Sequence, residues 1–234
     1  MFKEGMSGSE LLAEYNADLP EIKAQTIKFD GSEWVSGYLG ERVGKPRVVI
    51  TKIFTATGGN RYLGILIYDS IGEGRQRQWK FSSFHFGLME AARGQFVIAF
   101  FNESRQAMRF TPHFFHRYRE RFMGVCDWKT RGELLASRSD LEIASVYMKR
   151  NLSITWIETR AEFRNKVHIF GPVNDGVVLL QYDKERKLLQ ANTFITEGML
   201  SRKQSLMVEY ARTYLSLPKS VRRTFSLPNF VSDN

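Results

Sequence analysis

The chain has 234 residues, of which 43% are hydrophobic, and a formal net charge of +9. A hydrophobic content of this size, with 18 phenylalanines, is enough to build a core and excludes wholesale disorder. Because Cys126 is the only cysteine, an intramolecular disulfide and a cysteine-based zinc site are both excluded.

The apolar segments are short, and the first residues do not have the pattern of a secretory signal. Residues 1–10 hold acids where an apolar stretch would be needed, and the longest apolar runs, at 96–101 and 176–180, have the length of strands. We therefore expect an intracellular, cytoplasmic protein with no membrane partner.

Charge divides the sequence unevenly. The first 22 residues hold five acids and one lysine, so the positive charge lies in the remainder. The predicted domains are an acidic helical head (1–30), a single α+β body (31–218) with a sub-boundary near 104–111, and a basic tail (219–234). A basic body predicts an anionic partner, most often nucleic acid. A protein partner or a homo-oligomer is the alternative.

The first hundred residues are predicted to form helices and then strands. Leucines and a tyrosine at helical spacing predict a helix at 9–16, a second follows at 20–28, and four glycines indicate loops at 31–44. Gly94 is expected to end a short helix at 85–93. Apolar and β-branched residues predict strands at 47–55, 61–69, 75–84, 95–101 and 105–110.

The second half is predicted to be helical and then antiparallel. Capping-box patterns predict helices at 130–136 and 140–150, beginning near Thr130 and Ser139. Thr196 is expected to cap a C-terminal helix that runs to about 215, with Ser201 as a second cap inside it. Strands are predicted at 153–159, 166–170, 177–182 and 188–195. The fold class is α+β, with antiparallel sheets, a central short helix and a C-terminal helix.

The central helix, predicted at 111–122, has one apolar and one polar side. Thr111 suits the N-cap and Pro112 the first helical position. At about 100° per residue, one side is aromatic: Phe114, Phe115, Tyr118 and Phe122. The opposite side carries charge and imidazole: His113, Arg117 and Glu120, flanked by His116 and Arg121.

Two interpretations of this polar side compete. In one, Glu120 pairs with Arg117 or His116, and the charges form a solvated surface. In the other, His113 is a general acid or base and the arginines hold an anion, since the first turn of a helix disfavours an imidazolium and favours an anion. A metal held by His113, His116 and Glu120 is a third alternative, which the interspersed arginines disfavour, so no metal or other cofactor is expected.

The pattern His-x-x-x-Arg-x-x-Glu-Arg, followed by a further helix and an antiparallel sheet, resembles small toxin-type ribonucleases of the RelE/barnase-like superfold. The residues that carry the resemblance are His113, Arg117, Glu120 and Arg121, with Thr193 in a strand. The resemblance covers at most residues 110–200. It implies metal-independent RNA cleavage in which His113 is the acid or base and the arginines hold the scissile phosphate.

The remaining candidate residues are predicted to contact nucleic acid. They are His116, Arg119, His168 and Thr193. Two function classes follow: a basic nucleic-acid-binding protein, RNA favoured, that acts as a ribonuclease, or a non-catalytic structural or assembly protein of a phage or mobile element. An enzyme should collect His113, a polar strand residue and the arginines in one cleft, whereas a structural protein should present an extended surface.

Overall fold

The structure, a computed structural model, describes residues 1–42, 44–72, 78–101, 105–152, 157–163 and 166–216, with the backbone alone at 157–163, 166–170, 203, 207, 211 and 214–216. The predicted tail, 219–234, and the start of the strand predicted at 153–159 lie outside the described residues. The fold class is α+β, as predicted. The chain divides into two compact units, Met1–Ala107 and Met108–Asn234.

The first unit combines two helices with four strands. The elements are α1 (Gly8–Asp30), α2 (Glu33–Gly40), β1 (Arg47–Thr55), β2 (Arg61–Ile71), β3 (Gln78–Ala91) and β4 (Gly94–Phe101). Successive strands pair antiparallel, so that Ile65 lies opposite Thr51 on one side and Phe84 on the other. Seven consecutive residues of β2, from Tyr62 to Tyr68, are buried, which makes this strand the centre of the unit.

Helix α1 is one element where two were predicted. Ser7 and Glu10 form a capping box at its start, and the helix continues through Pro20. A proline inside a helix costs a hydrogen bond. The buried residues Leu11, Tyr15 and Ile22 keep helical spacing across it, so packing on the unit's core outweighs that cost.

Helix α2 lies in a segment that was predicted to be loop. The Ser32 hydroxyl accepts a hydrogen bond from the N–H of Val35, which satisfies the helix start. Val35 and Leu39, one turn apart, are both buried. The glycines therefore did not prevent a helix, because its apolar side has a core to pack against.

The helix predicted at 85–93 is wrong, because these residues continue strand β3. His85 pairs with Gly64 and Leu88 with Arg61 on the neighbouring strand. Gly94 has a φ of +112° and begins β4 instead of ending a helix. Pairing with β2, which is distant in sequence, decided this segment, and local patterns do not report such pairing.

Two glycines of the first unit lie directly beneath aromatic rings. A Cβ at Gly64 would stand 2.4 Å from the ring of Phe54, and one at Gly87 would stand 2.7 Å from the ring of Phe2. Both rings are buried. These positions therefore have no room for a side chain.

The second unit places helices around a sheet whose last four strands in the chain pair antiparallel. Its elements are the end of β5 (Gln106–Phe110), α3 (Pro112–Phe122), α4 (Trp128–Ala136), α5 (Asp140–Arg150), β6 (Ile157–Phe163), β7 (Lys166–Val173), β8 (Gly176–Asp183), β9 (Leu188–Ile195), a 3₁₀ turn (Glu197–Met199) and α6 (Arg202–Ser216). The spatial order is β5, β9, β8, β7, β6. The predicted hairpin of β8 and β9 is confirmed, with Val178 opposite Phe194.

The predicted apolar side of α3 forms the centre of the second core. Phe114, Phe115, Tyr118 and Phe122 are all buried. The ring of Tyr118 meets Phe194 edge-on at 5.0 Å and Tyr147 at 4.9 Å. Such aromatic pairs add to the free energy gained by burial. Helix α3 is thereby fixed on β9 and α5.

Helix α6 packs on the other side of the same strands. Val208 contacts Val177 and Ile195, and Ile195 points away from the face that Phe194 shares with α3. Thr196 does not cap this helix, because the 3₁₀ turn intervenes and Ser201 accepts from the N–H of Gln204 instead. The C-terminal helix predicted from Thr196 therefore begins later.

The two other predicted helix starts in this unit differ in outcome. The capping box at Ser139 is confirmed, with Glu142 as its partner. At α4 the cap is Asp127, whose carboxylate accepts from both the N–H and the hydroxyl of Thr130, so Thr130 lies inside the helix. Among the described residues, no helix has the length and hydropathy needed to span a membrane.

Candidate nucleic-acid interface

Helix α3 holds its polar residues outward because both its start and its apolar side are fixed. The N–H of Thr111 donates to the carbonyl of Ala191 in β9, and the Thr111 hydroxyl accepts from the N–H of Phe114. The buried aromatic side then directs the others to solvent. His113, His116 and Glu120 are exposed, and Arg117, Arg119 and Arg121 are half-buried.

The predicted line His113–Arg117–Glu120 exists as a chain of contacts. The Arg117 guanidinium donates to the Glu120 carboxylate at 2.7 Å, and its Nε lies 3.4 Å from Nε2 of His113. The hydrogen bond and the charge of Arg117 hold the pKa of Glu120 below its usual range. The carboxylate is thus ionised and its charge is balanced by Arg117.

The contact between Arg117 and His113 has a chemical consequence. An N–H can donate to a ring nitrogen only where that nitrogen keeps its lone pair. In a neutral imidazole, the contact therefore requires the ring proton to lie on Nδ1. At 3.4 Å it is long and fixes the ring weakly.

Arg121 and Thr193, both predicted site residues, lie together. The Arg121 guanidinium donates to the main-chain carbonyl of Phe194 at 2.5 Å and lies 3.4 Å from the Thr193 hydroxyl. These contacts attach the end of α3 to β9. Part of the donor capacity of Arg121 is therefore used within the protein.

The contacts of the predicted catalytic residues form two groups. His113 and Arg121 are eight residues apart in one helix, which corresponds to about 12 Å along its axis. His113, Arg117 and Glu120 form one group, and Arg121 with Thr193 forms the other. The polar side of α3 is accordingly an extended surface.

Three further predicted residues lie around these groups. His116 is close enough to Glu120 to lower its pKa, and Arg119 is half-buried on the same helix. The backbone of His168 lies in β7 opposite Gln181, while its side chain is outside the described part.

A polar row crosses the strands beside α3, and Arg109 and Gln190 among its members were not predicted. Arg109, buried at the end of β5, donates to the Gln190 side chain at 2.6 Å. Gln190 lies opposite Gln181 in β8, which in turn lies opposite His168. The alternation Leu-Gln-Ala-Asn in β9 was the available signal for Gln190, but Arg109 stands between Met108 and Phe110 and no such pattern marks it.

A buried carboxylate behind α3 was also missed. The side chain of Asp175 is 2% exposed and accepts from the Tyr118 hydroxyl at 2.8 Å, the Arg150 guanidinium at 2.9 Å and the Asn151 amide at 2.9 Å. Burial, with the nearby Asp175 charge second, raises the pKa of Tyr118, so this phenol stays a donor. The network joins α3, α5 and the β7–β8 turn and has a positioning role.

The side chains that could ligate a metal are dispersed in the described part of the chain. Within the described part of the chain, no three His, Cys, Asp or Glu side chains are close enough to hold a metal ion. This includes His113, His116 and Glu120, whose carboxylate is bound by Arg117.

Comparisons with known proteins found no match for this chain. No protein-family model, no curated protein and no solved structure matches it significantly. The resemblance to toxin-type ribonucleases therefore stays a prediction, and the function has to be argued from the residues of the site.

Proposed function

We propose that the protein binds nucleic acid, with RNA as the favoured partner, and that the exposed side of α3 contacts the phosphate backbone. The observation that carries this proposal is the charge of the helix. It presents three arginines and two histidines with a single carboxylate, Glu120, which Arg117 neutralises.

An extended basic surface suits a polyanion better than a small ligand. Phosphates follow one another along a strand, so residues spaced over about 12 Å of helix can each meet a different phosphate. Arginine also binds phosphate through two parallel hydrogen bonds. Arg119 and Arg117 are the residues we expect to make these contacts, with His116 and His113 beside them.

Salt dependence tests the proposal, because a protein that neutralises phosphates releases counterions. Labelled RNA and DNA, each single-stranded and duplex, are titrated with the protein between about 50 and 200 mM salt. We expect salt-sensitive binding, tightest for RNA. Absence of salt-sensitive binding to every one of these probes would overturn the proposal.

A matched pair of variants then locates the surface. Arg119→Gln and Arg93→Gln remove the same charge, but Arg93 is exposed in the turn between β3 and β4, away from α3 in sequence and in the first unit. Arg119→Gln should weaken binding and reduce the slope of log K against log salt by about 0.7 on a single strand and about 0.9 on duplex DNA, the values for one phosphate. Arg93→Gln should leave both nearly unchanged, and equal effects would argue against α3.

RNA cleavage is a second candidate, favoured by the contact between His113 and Arg117. A neutral imidazole beside a guanidinium can take a proton from a ribose hydroxyl while the arginine binds the phosphate. Cleavage in EDTA that His113→Gln abolishes, with binding retained, would support this candidate. Binding without cleavage by the wild-type protein would leave a non-catalytic binding protein.

A further inference from the structure

An apolar group on α4 is exposed to an unusual degree. The side chain of Trp128, the first residue of this helix, is 86% exposed, Leu135 is 58% exposed and Val125, in the preceding turn, is 64% exposed. Trp128 and Leu135 fall on the same side of the helix, two turns apart. An exposed tryptophan forfeits a large free energy of burial unless something covers it.

Cations flank this apolar side. At about 100° per residue, Arg131 lies on one flank of Trp128 and Lys129 on the other, and both are exposed. The acids of α4 are engaged: Asp127 accepts from Thr130, and Glu133 pairs with Lys149. Among the described residues no ion pair is found for Lys129 or Arg131. An occupant of this surface should therefore carry negative charge.

The residue one turn after Trp128 leaves the indole accessible because it has no side chain. Position 132, one turn after Trp128, is a glycine, and a Cβ built there would meet nothing within 4 Å. Helical side chains lean towards the N-terminus, so any side chain at 132 would lie over the turn that carries Trp128. The glycine thus keeps space open beside the ring.

This group follows closely after the C-terminal end of α3. The N–H groups of Val125 and Cys126 both donate to the carbonyl of Phe122, so a tight turn follows the end of α3. Arg150 lies over the ring of Phe122 and within 3.7 Å of the Asp127 carboxylate. Trp128 therefore stands near the end of α3 that carries Arg119 and Arg121.

We propose that Trp128 stacks on an unpaired base of single-stranded nucleic acid, while Lys129 and Arg131 contact its phosphates. Aromatic rings between cations form such sites, because every base has a face that can stack. A base in a duplex is already stacked on both sides, so this site selects single strands. The inference rests on the proposed function and names the class of nucleic acid.

An oligothymidylate and an abasic oligonucleotide of the same length test the inference, since they carry the same phosphates with and without bases. Trp128→Ala should weaken binding of the oligothymidylate about tenfold or more. It should leave binding of the abasic strand unchanged. Trp34→Ala, which removes a tryptophan that is 55% exposed in α2 of the first unit, is the matched control and should alter neither.

Gly132→Leu provides a variant that does not threaten the fold. Replacing glycine inside a helix favours the helix, and the new side chain would cover the indole. We expect it to weaken binding of the oligothymidylate alone, as Trp128→Ala does.

The outcomes separate the two proposals. Equal loss on both oligonucleotides, or no loss on either, would overturn stacking while leaving nucleic-acid binding intact. Failure of the wild-type protein to bind either strand would overturn stacking, and the proposed function would fall with it only if the RNA and duplex probes also failed to bind. Binding only to vesicles containing phosphatidylserine would assign Trp128 and its cations to an anionic membrane surface instead.

Discussion

The phenol of Tyr118 and the carboxylate of Asp175, 57 residues apart in sequence, form a 2.8 Å hydrogen bond behind the polar side of α3. Asp175 also accepts from Arg150 and Asn151. Because the carboxylate is 2% exposed, it depends on these donors for its charge to be tolerated. The hydrogen bond between Tyr118 and Asp175 therefore helps to fix the orientation of α3 and of the cations on its polar side.

Removing Asp175 should therefore destabilise the second unit strongly. Asp175→Ala removes the acceptor shared by Tyr118, Asn151 and Arg150 and leaves Arg150 only the Asp127 carboxylate at 3.7 Å, so it should lower the free energy of unfolding by about 3–5 kcal/mol. Tyr118→Phe removes one hydrogen bond and should cost about 1–2 kcal/mol. Urea unfolding followed by circular dichroism measures both. Similar losses for the two variants would mean that Asp175 does not stabilise Arg150.

Gly64 should not tolerate a side chain. In Gly64→Ala the new Cβ would stand 2.4 Å from the buried ring of Phe54, so the ring or the strand must move, at about 1–3 kcal/mol. Gly37→Ala is the control, because that position lies inside α2 and a Cβ there meets nothing within 4 Å. It should stabilise by about 0.5–1 kcal/mol. Thermal unfolding of the two variants should shift in opposite directions.

His85 should make stability depend on pH. Burial, assisted by the charge of Lys23, lowers the pKa of His85 from its ordinary 6.5 to about 4. The Thr26 hydroxyl donates to the carbonyl of Ile22, so it accepts from Nε2–H of His85, which fixes the neutral tautomer. Above pH 6.5 the ring is neutral whether the protein is folded or unfolded. As the pH falls towards 4, only the unfolded chain binds the proton, and stability is lost.

The His85 contribution can be isolated by substitution. His85→Gln keeps a donor towards Thr26 and cannot titrate in this range. Between about pH 7 and pH 4 the wild-type protein should lose up to about 3 kcal/mol more than this variant. Urea unfolding across that range measures the difference. Parallel pH profiles for the two proteins would contradict a half-buried His85 that is neutral in the folded protein.

Substitution of Glu120 tests whether the positive charge of α3 attracts nucleic acid. Glu120→Gln removes the only carboxylate of the helix and releases Arg117, so nucleic-acid binding should become severalfold tighter at low salt. The gain should fade as salt rises, because exposed charges are screened. Arg117→Gln should weaken binding under the same conditions. Anisotropy titrations at two salt concentrations would reveal opposite signs; changes of the same sign would place the nucleic acid elsewhere.

The elements that sequence predicted well are those whose patterns are local. The two sides of α3 follow from the spacing of Phe114, Tyr118 and Phe122, and Ser139 with Glu142 marks a helix start wherever it occurs. The segment from His85 onwards failed because its pairing with β2 involves residues more than twenty positions away. Periodicity within a short window does not carry such information.

The candidate site, like the fold, was predicted correctly where its pattern is local and was missed where it depends on residues distant in sequence. Positions i, i+4 and i+7 brought His113, Arg117 and Glu120 into one line, as their spacing requires. The Asp175 network could not be foreseen, since its members come from three separate segments and Tyr118 had been assigned only an apolar role. Nor does a helical pattern report that Trp128 is exposed while Leu134 is buried against the core.

The ring of Phe2 occupies the space that a side chain at Gly87 would need, with Phe100 close to the same point. Residues 2 and 87 therefore constrain each other during evolution. A lineage can acquire alanine at 87 only together with a smaller residue at 2, and once both have changed, reversal of either alone is unfavourable. The two positions should vary as a pair among relatives of this protein, although they are far apart in the chain.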